Sequence, residues 1–574
     1  MKNGFVSMVL CVIILLMISC KKYGGFLEQT STTNLNEETV FSDSALSIDF
    51  LSQIYTAIGF SFYPGRFGGK AGMEACCDEA EGPSSTSITT YNQFATGSVG
   101  AYSISTDAWN IPYTQIRAVN QFLAHLETIP FPDYLKRRTR GEAIFLRAWY
   151  YSIMLKHYCG IPIIGDSVYD VNDNINAARN TYEESVNYIL SQCDSAFNLV
   201  SSSYNGLDFG RITKGACIAL KAKVLLYAAS PLFNGGQTET SEPLRSLTGY
   251  PSYDANRWKL AADAAKVVID LQLYHLNVDN TTKPGYGFYQ LFTLRLNNEY
   301  IFQRMQPDTY NDLEGLWRPP SRGGNSTTGS WPYQNLVDAF QMKNGNDITD
   351  ITSGYDANNP YANRDPRMDY TITHNNSMLS EGQINDALKP VYTYVGEPNG
   401  DGFGVGTPTG YYVNKMCKDE VRPEWIASTQ RCYPLIRYAD ILLMYAEALN
   451  EYSGPSKEVY DAVDSVRWRA GLSPYELPSG LTQDEMRKAI QHERQVELAF
   501  EEQRFFDVRR WKIAEQTDNK VMTGMKITKD ILGNYVYQVV DVRAHNFRPA
   551  SMYLWPFPQS ETAKSPELLQ NPGY

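Results

Sequence analysis

The stretch Gly141-Glu-Ala-Ile-Phe-Leu-Arg-Ala-Trp-Tyr-Tyr151 decides the fold, because its apolar residues recur at helical spacing. Within the longer range 135–158, one stripe contains Ile144, Ala148, Tyr151 and Leu155. Such a stripe buries one face of a helix against a neighbouring element. We therefore predict a long amphipathic helix over these residues.

Further runs with the same period occupy much of the chain, at 42–58, 106–127, 182–199, 214–229, 255–271, 435–451, 459–470 and 483–502. Many of these runs are consecutive and closely connected, and paired helices that bury faces on each other are the unit of a helical solenoid. The predicted fold is therefore mostly α, a TPR-like scaffold of helix pairs over about 40–275 and 433–515. The pairs are expected to be irregular, because no strict 34-residue repeat is readable.

Three zones without helical period interrupt this pattern, at 60–104, 277–329 and 345–431. They are rich in Gly, Asn, Ser and aromatic residues. Long loops in a compact protein are usually functional or disordered, and the aromatic content argues against disorder. We predict that the ligand-binding side of the protein is built from these zones.

The N-terminus has the features of a lipoprotein signal peptide. Lys2 precedes an apolar run from Phe5 to Ile18, about 14 residues, which is too short to span a membrane as a helix. Ser19 is small and suits cleavage before Cys20. We predict a signal peptide at 1–19, lipidation at Cys20 and one domain at 20–574; an ordinary secretory signal with a chance cysteine is the alternative.

The composition excludes some classes of partner. The net charge is −12 and the pI is about 5.2, whereas nucleic-acid-binding proteins usually have the opposite balance. An acidic surface is also a poor match for anionic glycans or lipids. Aromatic residues make up 13% of the chain, with 40 Tyr and 9 Trp, and an exposed ring with a polar edge can stack on a sugar face.

No catalytic or metal-binding motif is complete. The sequence His492-Glu-Arg-Gln-Val496 lacks the second His of a zinc protease. Glu493 and Glu497 lie on one predicted helix face, which indicates an ion-pair network, because a glycosidase needs two carboxylates facing each other across a bond. The seven cysteines after Cys20 are spread without a CxxC pair and are expected to be small buried residues. We predict a protein that is not an enzyme, with no catalytic residue, metal or cofactor.

A series of short blocks extends along most of the chain. In chain order they are Gly141–Tyr151 with Gly160-Ile-Pro162, Gly210-Arg-Ile-Thr-Lys214, Leu336-Val-Asp-Ala-Phe340, Asn363-Arg-Asp-Pro-Arg367, Arg437-Tyr-Ala-Asp440, Glu493 to Asp507, and the ending Tyr553-Leu-Trp-Pro-Phe-Pro558 with Asn571-Pro-Gly-Tyr574. In this order they resemble the SusD/RagB family, the outer-membrane nutrient-capture lipoproteins of Bacteroidota-type bacteria.

The resemblance implies a TPR-like helical scaffold with a loop-rich ligand-binding side, lipid-anchored to the outer membrane at the cell surface. It also implies capture of an oligosaccharide or polysaccharide, and its delivery to a SusC-like TonB-dependent transporter. Two alternatives stay open: a peptide-binding uptake lipoprotein of the RagB branch, and a surface glycoside hydrolase.

Ligand-contacting residues should be aromatic, lie in the loop zones and stand outside these blocks. Six tryptophans fall in predicted helices or blocks and are expected in the core: Trp109, Trp149, Trp258, Trp468, Trp511 and Trp555. Trp317 and Trp331 flank a Pro/Gly-rich stretch that is poorly able to bury two indoles locally. The predicted ligand surface comprises Trp317, Trp331, Tyr310, Tyr91, Asn92, Asp78 and Trp425. If this placement fails, Tyr392 and Tyr394 are the next residues to consider.

Overall fold

The computed structural model describes residues 36–84, 88–170, 173, 175–236, 238–306, 312–381, 387–418 and 431–574. The predicted mostly helical fold is confirmed, since nineteen helices and ten strands lie in these ranges. The helices are α1 (Glu37–Phe41), α2 (Ser44–Thr56), α3 (Thr90–Thr96), α4 (Asp107–His125), α5 (Asp133–Tyr158), α6 (Tyr182–Phe197), α7 (Lys214–Ala229), α8 (Leu244–Thr248), α9 (Asn256–Asp270), α10 (Tyr286–Thr293), α11 (Asp312–Trp317), α12 (Gln334–Ala339), α13 (Arg367–Thr371), α14 (Tyr438–Ser453), α15 (Lys457–Arg469), α16 (Gln483–Glu497), α17 (Arg504–Arg510), α18 (Ala514–Thr517) and α19 (Gln559–Lys564).

The long helices form the scaffold by packing on their neighbours in the chain. Helix α5 contacts α4 and α6, α7 contacts α6 and α9, and α14 contacts α9, α15 and α16. Two of these helices begin with a capping box, in which Thr181 pairs with Glu184 and Thr482 with Glu485. Each box satisfies backbone N–H groups that the first turn leaves free, so these helix starts are encoded locally.

The strands are mostly short and pair in twos. They are β1 (Ala80–Glu81), β2 (Tyr300–Met305), β3 (Trp331–Pro332), β4 (Ile372–Thr373), β5 (Met378–Leu379), β6 (Lys389–Pro390), β7 (Tyr412–Val413), β8 (Cys432–Arg437), β9 (Val521–Lys529) and β10 (Tyr535–Ala544). The pairs are β1–β3, β2–β8, β4–β7, β5–β6 and β9–β10, all antiparallel. The β9–β10 hairpin is the longest, and the sequence interpretation did not identify it.

The loop zones contain helices that the sequence pattern did not predict. The zone 60–104 contains α3, and the zone 277–329 contains α10 and α11. The seven cysteines after Cys20 are free and buried, as expected. In the described ranges, no helix combines the length and the apolar character needed to cross a membrane.

A network of buried charges ties the scaffold together around Glu497, near the end of α16. Its carboxylate accepts hydrogen bonds from Arg437 at 2.6 Å and Arg367 at 2.9 Å, and also from Arg469. Arg367 pairs in addition with Glu493 at 2.5 Å. All five side chains are almost completely buried. The two glutamates thus belong to a structural ion-pair network, as their spacing predicted.

Candidate functional site

Two predicted ligand residues, Trp317 and Trp331, are buried. Trp317 is the last residue of α11, is only 1% exposed and packs edge-on against Phe500 at 5.9 Å between ring centroids. Trp331 lies in β3, opposite Glu81 of β1, and is 3% exposed. The expectation that their Pro/Gly-rich surroundings leave these indoles exposed is wrong, because residues distant in sequence cover them.

The predicted residues of the first loop zone are also engaged inside the protein. Tyr91 lies in helix α3, is 1% exposed and donates its hydroxyl to the carbonyl of Pro83 at 3.0 Å. Asp78 is buried and accepts two hydrogen bonds from Arg504, at 2.8 and 2.7 Å. Asn92 is partly exposed. The expectation of an accessible ring at Tyr91 and an accessible carboxylate at Asp78 is therefore wrong in this structure.

Three other predicted residues, Cys20, Tyr310 and Trp425, lie outside the described residues. Ligand contact by the residues of the predicted surface stays a prediction, and its three described rings, Trp317, Trp331 and Tyr91, are buried. One core assignment also needs correction: Trp468 is 47% exposed on α15, whereas the other five tryptophans assigned to the core are buried. Trp468 follows Arg467, which is buried, so the indole falls on the outer face of its helix.

Tyr392 and Tyr394, the residues to consider next if the first placement failed, belong to a cluster of aromatic rings that we call the tyrosine platform. Its four partly exposed members are Tyr392, Tyr394, Tyr535 and Tyr537. The ring centroid of Tyr394 lies 5.7 Å from that of Tyr392 and 5.7 Å from that of Tyr535. Tyr535 and Tyr537 are 6.5 Å apart. The platform thus joins two tyrosines of the third loop zone to two tyrosines of the β9–β10 hairpin.

The β9–β10 hairpin supplies half of the platform through its two-residue period. Tyr535 and Tyr537 are two apart on β10 and so point to the same face of the hairpin. They lie opposite Lys529 and Ile527 of β9. The N–H of Val395 donates to the carbonyl of Ile527 at 2.8 Å, which fixes the loop that carries Tyr392 and Tyr394 to the hairpin edge.

Rings that are partly or fully buried support the platform from below. Tyr361 packs edge-on against Tyr537 at 5.9 Å and stacks on His374 at 4.0 Å. The Tyr361 hydroxyl donates to that of Tyr411 at 3.2 Å. Burial raises the pKa of both Tyr361 and Tyr537 above the ordinary value, so these phenols stay neutral at physiological pH. A neutral phenol can both donate and accept a hydrogen bond, which suits contact with sugar hydroxyls.

The platform adjoins the loop between Trp317 and Trp331. Arg322 of that loop donates to the carbonyls of Lys389 and Pro390, at 3.3 and 3.2 Å, in the strand that leads to Tyr392. Ser321 donates its backbone N–H to Asp401 at 2.8 Å. The predicted loop therefore holds the neighbouring loops in position, although its own indoles point into the core.

A separate cavity of about 790 Å³ lies between α4, α19 and residues of the segments 162–170 and 175–177. Trp109 and Tyr113 line it, with Tyr169 on its outer wall. The Trp109 ring is largely covered by edge contacts with Tyr113, Tyr158 and Phe557 at 4.7–5.9 Å. Tyr169 is 36% exposed. The cavity offers two rings that are at least partly exposed, Tyr113 and Tyr169, whereas the platform packs four such rings side by side, so we place the candidate site at the platform.

The platform could have been found from the sequence by a different signal. Residues 521–529 and 535–544 alternate apolar and polar residues, and Asp530-Ile-Leu-Gly-Asn534 between them is typical of a hairpin turn. Reading that period would have placed Tyr535 and Tyr537 on one face. It would not have shown that the face meets Tyr394, because their contact joins segments far apart in sequence.

Comparison with known proteins identifies the family to which these blocks belong. The sequence model of the SusD family matches residues 297–574, and a model described as starch-binding associating with outer membrane matches residues 26–226. SusD-like protein P2 of Formosa agariphila is 37% identical over 149 residues, which cover 25% of this chain and 26% of that protein. SusD-like protein P25 of the same organism is 24% identical over 98% of both chains.

Solved structures agree with this assignment. A SusD-like protein from Bacteroides fragilis superposes with a TM-score of 0.75 at 27% identity, over 94% of this chain and 98% of its own. A SusD-like carbohydrate binding protein from the same species has a TM-score of 0.73 at 22% identity, over 92% and 100%. The matching models together cover both the helical first half and the loop-rich second half, and this protein belongs to the SusD/RagB family.

Proposed function

We propose that the protein is a surface glycan-binding lipoprotein that holds a saccharide on the tyrosine platform. The observation that carries the proposal is the packing of four partly exposed tyrosines into one surface. Tyrosine combines a flat apolar ring with a polar edge, which matches the C–H faces and hydroxyls of a sugar. The family description as starch-binding supports the same ligand class. The role is binding, and no catalytic step is assigned to the platform.

The test is binding of the purified protein to a panel of polysaccharides by affinity gel electrophoresis, followed by calorimetry. Tyr394→Ala and Tyr535→Ala should weaken binding about tenfold or more, since a stacked ring supplies roughly 1–3 kcal/mol by analogy with stacked bases. Tyr253→Ala is the matched control, because Tyr253 is 62% exposed and does not belong to the platform. Binding that survives both platform substitutions would contradict this location.

The 790 Å³ cavity and the alternative functions are distinguished in the same experiment. Loss of saccharide binding in Tyr169→Ala, with the platform variants unaffected, would move the site to the cavity. Release of new reducing ends would indicate a glycoside hydrolase. Binding of peptides with no binding of any polysaccharide would favour the RagB-like alternative.

We also infer that the bound saccharide is passed to a SusC-like TonB-dependent transporter, and that Cys20 carries the lipid anchor. Family membership supports both inferences, and the matching model is described as associating with the outer membrane. Co-purification of such a transporter from solubilised outer membranes tests the first. Labelled palmitate tests the second: Cys20→Ala should abolish incorporation, and a labelled variant would show that the anchor lies elsewhere.

A further inference from the structure

The tyrosine platform contains a cation, Lys529, that has no carboxylate partner among the described residues. Its ammonium nitrogen lies 3.9 Å from the ring centroid of Tyr394 and 5.4 Å from that of Tyr535. The side chain is exposed. An ammonium over aromatic rings is attracted by their negative faces, so the two rings hold Lys529 over the platform. In the described part of the chain, Lys529 forms no ion pair, unlike the neighbouring Lys389, which pairs with Glu381.

The acidic side chains of the surrounding loops are already used by backbone groups. Asp530 accepts hydrogen bonds from the N–H groups of Leu532 and Asn534, both at 2.8 Å, within the hairpin turn. Glu397 accepts from the N–H groups of Asn399 and Gly402, at 2.7 and 2.9 Å. These carboxylates are held in their own turns, which leaves the donors of Lys529 available to a ligand.

A second cation lies beneath the platform. Arg322 is buried, and its guanidinium bonds carbonyl oxygens and the hydroxyl of Ser321. Among the described residues it has no carboxylate within ion-pair distance, and burial lowers its pKa below the ordinary value. A guanidinium remains charged under these conditions. Arg322, which also feels the charges of Asp401 and Glu381, fixes the loops beneath the platform, and Lys529 is an exposed cation on its surface.

We propose that the platform selects acidic saccharides, whose carboxylate or sulfate group pairs with Lys529 while the sugar ring contacts the tyrosines. This proposal rests on the proposed function and adds the class of ligand. It also replaces the expectation, drawn from the overall acidity of the chain, that anionic glycans are excluded. Charge-assisted hydrogen bonds are stronger than neutral ones, so the anionic group supplies selectivity and the rings supply general affinity for sugar.

The test compares three polysaccharides: alginate, which carries uronate carboxylates, κ-carrageenan, which carries sulfate esters, and laminarin, which is neutral. The wild-type protein should bind at least one of the acidic polysaccharides more tightly than laminarin. Lys529→Gln should weaken that binding about twofold to fivefold, in the range of an ion pair at an exposed site. It should also reduce the dependence of affinity on salt, because fewer charges are screened. The arm that responds identifies carboxylate or sulfate as the recognised group.

Two variants separate a specific role of Lys529 from a change in net charge. Lys526→Gln removes the same charge from the same strand, but residues 526 and 529 point to opposite faces, so this variant should keep the wild-type affinity. Lys529→Arg should keep the preference for acidic saccharides, because it retains the charge. Equal binding of acidic and neutral polysaccharides, or unchanged acidic affinity in Lys529→Gln, would overturn the proposal. If laminarin still binds through Tyr394 in that case, the proposed function survives; if no polysaccharide binds, both fail.

Discussion

The buried charge network around Glu497 and the tyrosine platform use similar residues for opposite purposes. In the network, cations and carboxylates pair at 2.5–2.9 Å and are almost completely buried. At the platform, Lys529 is exposed, faces two rings and has no described carboxylate partner. Complete pairing makes the first region rigid scaffold, whereas the incomplete pairing of the second leaves it able to accept an anionic group from outside.

The largest effect is expected where a paired buried charge is removed. Glu497→Gln removes the carboxylate that Arg367, Arg437 and Arg469 share, and breaking buried ion pairs in this way costs roughly 3–5 kcal/mol. Three arginines hold the pKa of Glu497 far below its usual range, despite the opposing effect of burial. Urea denaturation should show the loss in unfolding free energy. A loss under about 1 kcal/mol would mean that the network is not the structural element that its burial suggests.

The second prediction compares an exposed-ring substitution, Tyr394→Ala, with a buried-ring substitution, Trp317→Ala. Tyr394→Ala should lower saccharide affinity by about tenfold and unfolding free energy by less than about 1 kcal/mol, because the ring is partly exposed. Trp317→Ala should do the reverse, with a loss of stability of roughly 3 kcal/mol and unchanged affinity in the folded fraction. Calorimetry and denaturation on both variants test the exchange. A loss of affinity confined to Trp317→Ala would restore the original sequence prediction.

The helical scaffold could be predicted from sequence because its information is local. Apolar residues recur every three or four positions in α5, and Thr181 and Thr482 cap their helices through residues three positions away. Such signals are complete within one helix. The largest error at a predicted helix end is in α16, which was expected to continue to residue 502. The chain leaves the helix after Glu497, and Phe500 takes a positive φ of 60°, which a side-chain period cannot reveal.

The candidate site could be predicted only in part, because exposure depends on contacts between distant segments. The third loop zone supplied Tyr392 and Tyr394 as the next residues to consider, and their role as ligand contacts stays a prediction. Its partner rings come from a hairpin more than a hundred residues later. Trp317 appeared exposed because its local sequence cannot bury it, yet Phe500 does so from another part of the chain. Composition indicates which rings are available, and tertiary packing decides which of them a ligand can reach.

A third prediction concerns the pH dependence of stability. Burial raises the pKa of Glu79 to about 8, whereas in the unfolded chain a glutamate has a pKa of about 4.3. Between these values the unfolded chain releases a proton that the folded protein retains. The contribution of Glu79 is therefore complete below about pH 4.3 and declines as pH rises toward 8, with a maximal slope of about 1.4 kcal/mol per pH unit.

Glu79→Gln isolates this contribution, since glutamine does not titrate. Its side-chain oxygen can still accept the N–H of Phe500, which Glu79 accepts at 2.8 Å. The unfolding free energy of the variant relative to wild type should rise by about 1 kcal/mol or more between pH 5 and pH 8. Other groups titrate equally in both proteins and cancel in the difference. A constant difference across this range would show that Glu79 ionises normally in the folded protein.

The smallest effect is expected at the tip of the β9–β10 hairpin, and it tests how far the platform extends. Leu532 is 81% exposed in the turn, so Leu532→Ser removes no buried contact and should change the unfolding free energy by less than about 0.5 kcal/mol. Ile527 lies on the same hairpin, opposite Tyr537, and is fully buried.

Ile527→Ser is the matched control, because it exchanges the same kinds of side chain at a buried position and should cost roughly 2–4 kcal/mol. Saccharide affinity should stay at the wild-type value in Leu532→Ser, since the tyrosines and Lys529 carry the proposed contacts. A clear loss of affinity there, with stability intact, would show that the ligand reaches beyond the tyrosines along the hairpin. The binding surface would then include the turn of the hairpin as well as the tyrosines on its strand.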